Sequence, residues 1–98
     1  MSSHRIVILP WLRPVGRLVV PDWLAITIGR TIYTWRALSD AELEHELAHV
    51  RQWRRHGPLF PVVYAVESIR AKRVGKSWYR DNRFEVEARS AASAIARR

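Results

Sequence analysis

Five consecutive residues, His45-Glu46-Leu47-Ala48-His49, carry the H-E-x-x-H spacing. Each residue of an α-helix turns about 100°, so His49 returns to within about 40° of His45 one turn further on, and both imidazoles can address one metal ion. Glu46 falls at the flank of that pair, where its carboxylate can reach a metal-bound water and act on its protons. Two imidazoles and a water do not complete a catalytic zinc site, which ordinarily takes a third protein ligand. The chain has no cysteine, so that ligand must be His, Asp or Glu.

The candidates are His56, Glu67, Asp81, Glu85 and Glu87. His56 points in the right direction, but seven helical residues carry it about 10 Å past His49, too far to share a metal with that pair. Glu67 reads as a surface ion-pair residue in the middle of a helix. Glu85 and Glu87 lie on either side of an apolar stripe formed by Phe84, Ala88, Ala91 and Ile95. Both are equally lateral to it, so periodicity does not choose between them.

Several elements must position these groups. Ser39-Asp40-Ala41-Glu42 reads as a capping box that opens a helix over 39–56, stopped by Gly57-Pro58. Leu43, Leu47 and Val50 fall nearly opposite the histidines and predict that the rear face packs while the histidine face borders a cleft. A second helix is expected over 61–74, with Pro61 in its first turn. A third spans 82–97, with Asn82 and Glu85 able to form a capping pair. Upstream, Ala25-Ile26-Thr27-Ile28 and Thr31-Ile32-Tyr33-Thr34 flank Gly29-Arg30, which suits a type II′ hairpin over 25–35. Residues 1–24 alternate short β-branched runs (Ile6 to Leu9, Leu18 to Val20) with Pro10, Pro14, Gly16 and Pro21, a pattern of extended segments rather than helix.

Size and charge bound the rest. Ninety-eight residues with 48% hydrophobic content and five Trp describe one domain, whose aromatic residues are expected to supply much of the core. The formal charge is +8 and the pI about 11.3, which would ordinarily raise nucleic acid or an anionic membrane as partners. The basic residues are scattered along the whole chain, however, with no long block, and this disfavours nucleic-acid binding as a primary role. No apolar run is long enough to span a bilayer and no signal-peptide pattern opens the chain, so a reducing cytoplasm is the expected setting.

The segment from His45 to Gln52, preceded by Thr27-Ile28-Gly29-Arg30-Thr31-Ile32-Tyr33 and followed by Asn82-Arg83-Phe84-Glu85-Val86-Glu87-Ala88, resembles the gluzincin clan of zinc metallopeptidases. The likeness is to their very small single-domain members, the minigluzincins, and runs from about Ile26 to Ala92. It implies a minimal α+β zincin-like domain, with a small β-hairpin or sheet packed on the motif helix and two further helices. It also implies one Zn²⁺ per chain held by His45, His49 and a glutamate on a later helix. Glu85-Val86-Glu87-Ala88 matches the E-x-x-A pattern of such glutamate helices with Glu85 as ligand, although the acidic residue that often closes the pattern is Arg89 here.

The activity implied is hydrolysis of a peptide or protein substrate, with Glu46 as general base toward a water whose pKa the metal lowers toward ~7. The resemblance further implies that Thr31 to Thr34 forms the cleft's edge strand and pairs with an extended substrate. Tyr79, or less readily Tyr64, would stabilise the oxyanion. Two rival readings stand beside this one: a latent or degenerate zinc-binding homologue, and a basic binding module whose zinc is structural.

Overall fold

A computed structural model describes residues 4–16, 18 and 24–97. The fold is α+β, a three-stranded mixed sheet and a set of helices. Strand β1 (Arg5–Ile8) is followed by a five-residue helix α1 (Leu12–Gly16), then β2 (Ala25–Ile28) and β3 (Thr31–Thr34). Three longer helices complete it: α2 (Asp40–His56), α3 (Phe60–Arg73) and α4 (Arg83–Ala96). No helix among the described residues is long and apolar enough to cross a membrane.

The hairpin forms as its turn residues require. Gly29 has φ of 64° and no described non-glycine residue has positive φ, so only the first loop position is left-handed, as in a type II′ turn. β2 pairs antiparallel with β3, and β1 adds to the far side of β3 in parallel, Arg5 opposite Thr31 through Ile8 opposite Thr34. The strand order β1-β3-β2 corrects one expectation. Thr31–Thr34 is the central strand, and among the described residues the hairpin strand with an unpaired edge is β2.

A second correction concerns residues 1–24. Ile6 to Ile8 is extended as read, but Leu12–Gly16 is helical despite Pro14. Pro14 is the third residue of that helix, where its missing N–H has no helical partner to lose. Of the run Leu18 to Val20, only Leu18 lies within the described residues, in a turn.

The motif helix starts where its capping box stands. Ser39 accepts from the Glu42 N–H at 3.2 Å while Glu42 accepts from the Ser39 N–H at 2.9 Å. The same Glu42 carboxylate takes both guanidinium nitrogens of Arg36, at 3.0 and 2.8 Å. Gly57, at φ of 62°, ends the helix and donates back to the Trp53 carbonyl, and a 3-10 turn over Gly57–Leu59 leads into α3.

Packing follows the expected faces of α2 at Val50 but not at Leu43 and Leu47. Its buried residues are Glu46, Ala48, His49, Val50 and Gln52, whereas Leu43 and Leu47 are half-buried. The histidine side is the covered side because α4 and β2 close over it. Small residues in these helices, Ala48 at 2% exposure and Ala88 at 0%, permit close approach of the two backbones. Beside them Phe60 and Phe84 meet edge to face at 5.0 Å, and Trp53, Tyr64 and His56 pack around Phe60. The other aromatics contribute less than expected: Trp11 and Trp78 are exposed, and Trp35 lies under the guanidinium groups of Arg13 and Arg36.

Candidate metal centre

His45 and His49 project from α2 and Glu85 from the first turn of α4. One ligand atom from each lies within 4.8 Å of the others. Glu85 Oε1 is 3.4 Å from His45 Nε2 and 3.1 Å from His49 Nε2. Ligand atoms about 2.0–2.1 Å from a tetrahedral zinc stand roughly 3.3 Å apart, and the two edges from Glu85 Oε1 to the histidine nitrogens are of that length.

The hydrogen bonds around His49 decide which of its nitrogens faces that triangle. The Gln52 amide donates to the Phe84 carbonyl at 3.0 Å and to Glu87 Oε1 at 2.7 Å. Both partners are acceptors, so the Gln52 nitrogen is the donor and its oxygen is what meets His49 Nδ1 at 2.8 Å. Nδ1 therefore carries the proton, and in the neutral ring Nε2 is a bare lone pair. That lone pair points at a carboxylate oxygen 3.1 Å away. Two acceptors at hydrogen-bond distance require a cation between them, either a second proton on the imidazole or a metal ion.

Electrostatics agree with this account. Burial opposes a charged His49, but its bond to Glu85 and the charges of Glu85 and Glu46 outweigh burial and raise its pKa above the ordinary value. Burial likewise pushes the Glu85 carboxyl up, yet the bonds from His45, His49 and Tyr64 bring it down to about 2. The Tyr64 hydroxyl donates to Glu85 Oε2 at 2.6 Å, which fixes the second carboxylate oxygen and leaves Oε1 for the histidines. Tyr64 thus serves the carboxylate rather than the oxyanion position weighed for it.

Glu46 stands beside the triangle, its Oε2 4.0 Å from His45 Nε2. It is 6% exposed, and burial raises its pKa above the usual carboxylate value against the opposing pull of His49, His45 and Thr27. Thr27, on β2, donates its hydroxyl to Glu46 Oε1 at 3.0 Å. Tyr79, in the turn before α4, is half-buried. Burial and the charges of Glu85 and Glu46 raise its pKa, so its hydroxyl remains a proton donor. Arg89 donates to the Arg80 carbonyl, tying that turn to α4 where the glutamate-helix pattern has an acidic residue.

The two glutamates that periodicity left equal are separated by the fold. Glu85 faces the histidines, whereas Glu87 faces Gln52 and, at 3.9 Å, Arg55. The capping pair expected of Asn82 and Glu85 does not form. Asn82 caps α4 by accepting from the Phe84 N–H, while its amide nitrogen holds Tyr64 O and Ser68 Oγ. His56 lies among Phe60 and Phe84, apart from the site, with its buried Nε2 lacking a hydrogen-bond partner among the described residues. Glu67 pairs with Arg70 at 3.4 Å. Sequence reasoning missed the role of Thr27 altogether, and the structure shows Gln52 accepting from the ligand and donating to α4.

Comparison of the chain with protein-family models, with curated proteins and with solved structures returns no match. The arrangement of residues therefore carries the functional argument.

Proposed function

We propose that this chain is a zinc-dependent metallopeptidase. The observation that carries the reading is the meeting of His49 Nε2 with Glu85 Oε1 at 3.1 Å, with His45 Nε2 3.4 Å from the same oxygen. A zinc ion held by these three residues would supply a Lewis acid and lower the pKa of a water at the open position. Glu46, beside the triangle and with its pKa raised by burial, would be the general base, its carboxylate accepting and returning a proton. Tyr79 offers a protonated hydroxyl to the developing negative charge. An extended peptide would pair along the unpaired edge of β2, directly above Glu46, rather than along β3. A reducing, cytoplasm-like compartment belongs to the same proposal and suits a chain without cysteine.

Metal content and peptide cleavage test it together. About one zinc per chain is expected in the wild type and in Glu46→Gln, and little in His49→Ala or Glu85→Ala. Glu46→Gln should lose about 10²–10⁴-fold in peptide hydrolysis while keeping its metal. A wild type that takes up no zinc on reconstitution refutes the proposal.

One observation favours the second reading, a zinc-binding homologue of low turnover. In a two-residue hairpin Ile28 and Thr31 exchange ladder bonds, so the next residue along, Thr27, turns its carbonyl to the free edge of β2. Trp53 Nε1 donates to that carbonyl at 2.9 Å, occupying an acceptor that an incoming peptide would use. On this reading Trp53→Phe raises kcat/KM for peptides.

A further inference from the structure

Helix α3 is apolar on both of its long faces. The inner face packs Phe60, Tyr64 and Ala71 toward the core. On the outer face Val62, Val66 and Ile69 fall within an arc of about 60° and are 60%, 47% and 58% exposed. Leu59, just before the helix, is 64% exposed. A surface helix ordinarily carries one apolar stripe and a polar back. Here the back is a second apolar stripe, and nothing in the described fold covers it.

The charges beside this stripe have one sign. Lys72 and Arg73 in the last turn of α3 flank it and are exposed, and neither joins an ion pair among the described residues. Glu67, the one acid of the helix, lies toward the inner side, half-buried and paired with Arg70. Lys72 and Arg73 thus stand at the C-terminal end of the exposed valine and isoleucine stripe, on the same helix. The whole chain carries +8.

We propose that the outer face of α3 docks on an anionic lipid surface, with Val62, Val66 and Ile69 entering the headgroup–acyl boundary and Lys72 and Arg73 resting on the headgroups. Charge selects this occupant. A second copy would bring another +8 chain against the face, and a nucleic acid would meet the basic residues but leave the apolar stripe without a partner. An anionic bilayer complements both features, as interfacial amphipathic helices do. The inference stands apart from the proposed peptidase activity, since no residue of the metal centre lies on this face.

Co-sedimentation with vesicles tests it, comparing phosphatidylcholine alone with phosphatidylcholine containing phosphatidylserine. The full chain should bind the mixed vesicles and not the neutral ones, and added salt should weaken binding. Lys72→Glu and Arg73→Glu should each lower partitioning about fivefold or more, since each basic residue near an anionic surface is worth about that factor. Val62→Ser combined with Ile69→Ser should abolish binding while circular dichroism and zinc content stay unchanged. Failure of the wild type to bind the mixed vesicles, or equal binding by the double serine variant, overturns the proposal. Concentration-dependent dimerisation in sedimentation equilibrium that Ile69→Ser disperses would assign the face to a second copy and overturn it equally.

Discussion

Gln52 accepts a hydrogen bond from His49 Nδ1 at 2.8 Å and, through its amide nitrogen, holds the Phe84 carbonyl of α4. One fully buried side chain thus fixes the tautomer of a histidine on α2 and the position of the helix that presents Glu85. Replacing it with Leu removes both bonds at once. Metal affinity should fall about 10–100-fold, as for other partners of metal-ligating histidines, and folding stability by about 1–3 kcal/mol because the buried His49 Nδ1–H is left without its acceptor. Zinc competition titration and urea denaturation read the two effects separately. Unchanged zinc affinity in a folded Gln52→Leu protein would rule out the positioning role.

Thr27 makes a second prediction. Its hydroxyl bond stabilises the charged form of Glu46 against burial. Thr27→Val keeps the shape and deletes that bond, so the Glu46 pKa rises further. If Glu46 is the general base, the acid limb of the kcat/KM profile must move to higher pH. A limb that stays in place separates Glu46 from the titration that governs activity.

Zinc should also act on the folded state without any substrate. An ion that binds only the native protein stabilises it by about 2.7 kcal/mol at a free concentration one hundred times its Kd. In a domain of 98 residues this corresponds to a rise in Tm of roughly 10–20 °C. Thermal unfolding with and without zinc measures the shift, and Glu85→Ala should show little of it.

The capping box sets an acid dependence of its own. The bond from Arg36 lowers the Glu42 pKa from 4.5 to about 2, against burial and with help from Ser39. A carboxylate whose pKa is depressed by folding contributes its stability in full above its unfolded pKa and loses it as pH falls through its folded one. The loss therefore falls between about pH 4.5 and 2 and is modest, because the pair is exposed to solvent. Arg36→Ala should flatten the denaturation midpoint over that window, with a modest drop at pH 7, where the contribution of the pair is present in full, and convergence with the wild type toward about pH 2. An unchanged acid slope in Arg36→Ala would show that this ion pair makes no difference to folding.

Much of the centre was legible because its signals are local. The spacing of His45 and His49, the Ser39–Glu42 box and the Gly29 turn each lie within a few residues, and secondary structure alone makes them neighbours. The partners that tune the site were not legible for the opposite reason. Thr27 reaches Glu46, Gln52 reaches Phe84 and Tyr64 reaches Glu85 across 19 to 32 residues of chain, and no periodicity encodes such a meeting. The buried face of α2 was misjudged because leucines outrank histidine on any hydropathy scale, while here hydrogen bonds satisfy Glu46, His49 and Gln52 well enough to bury them. The position of β1 escaped for a simpler reason: a strand's own residues say that it is extended, not which neighbour it chooses or in which direction.

That parallel strand has a kinetic consequence. To pair with β3, β1 must close a loop of roughly twenty residues. What it gains is small, since three of its four residues stay exposed. The hairpin partner β2 closes through two residues and is anchored to α2 by Thr27 and Trp53. Local opening should therefore begin at β1, whose amides should exchange with solvent hydrogen long before those of β3 bonded to β2. None of His45, His49 and Glu85 lies on β1, so opening of that strand should leave the metal centre in place.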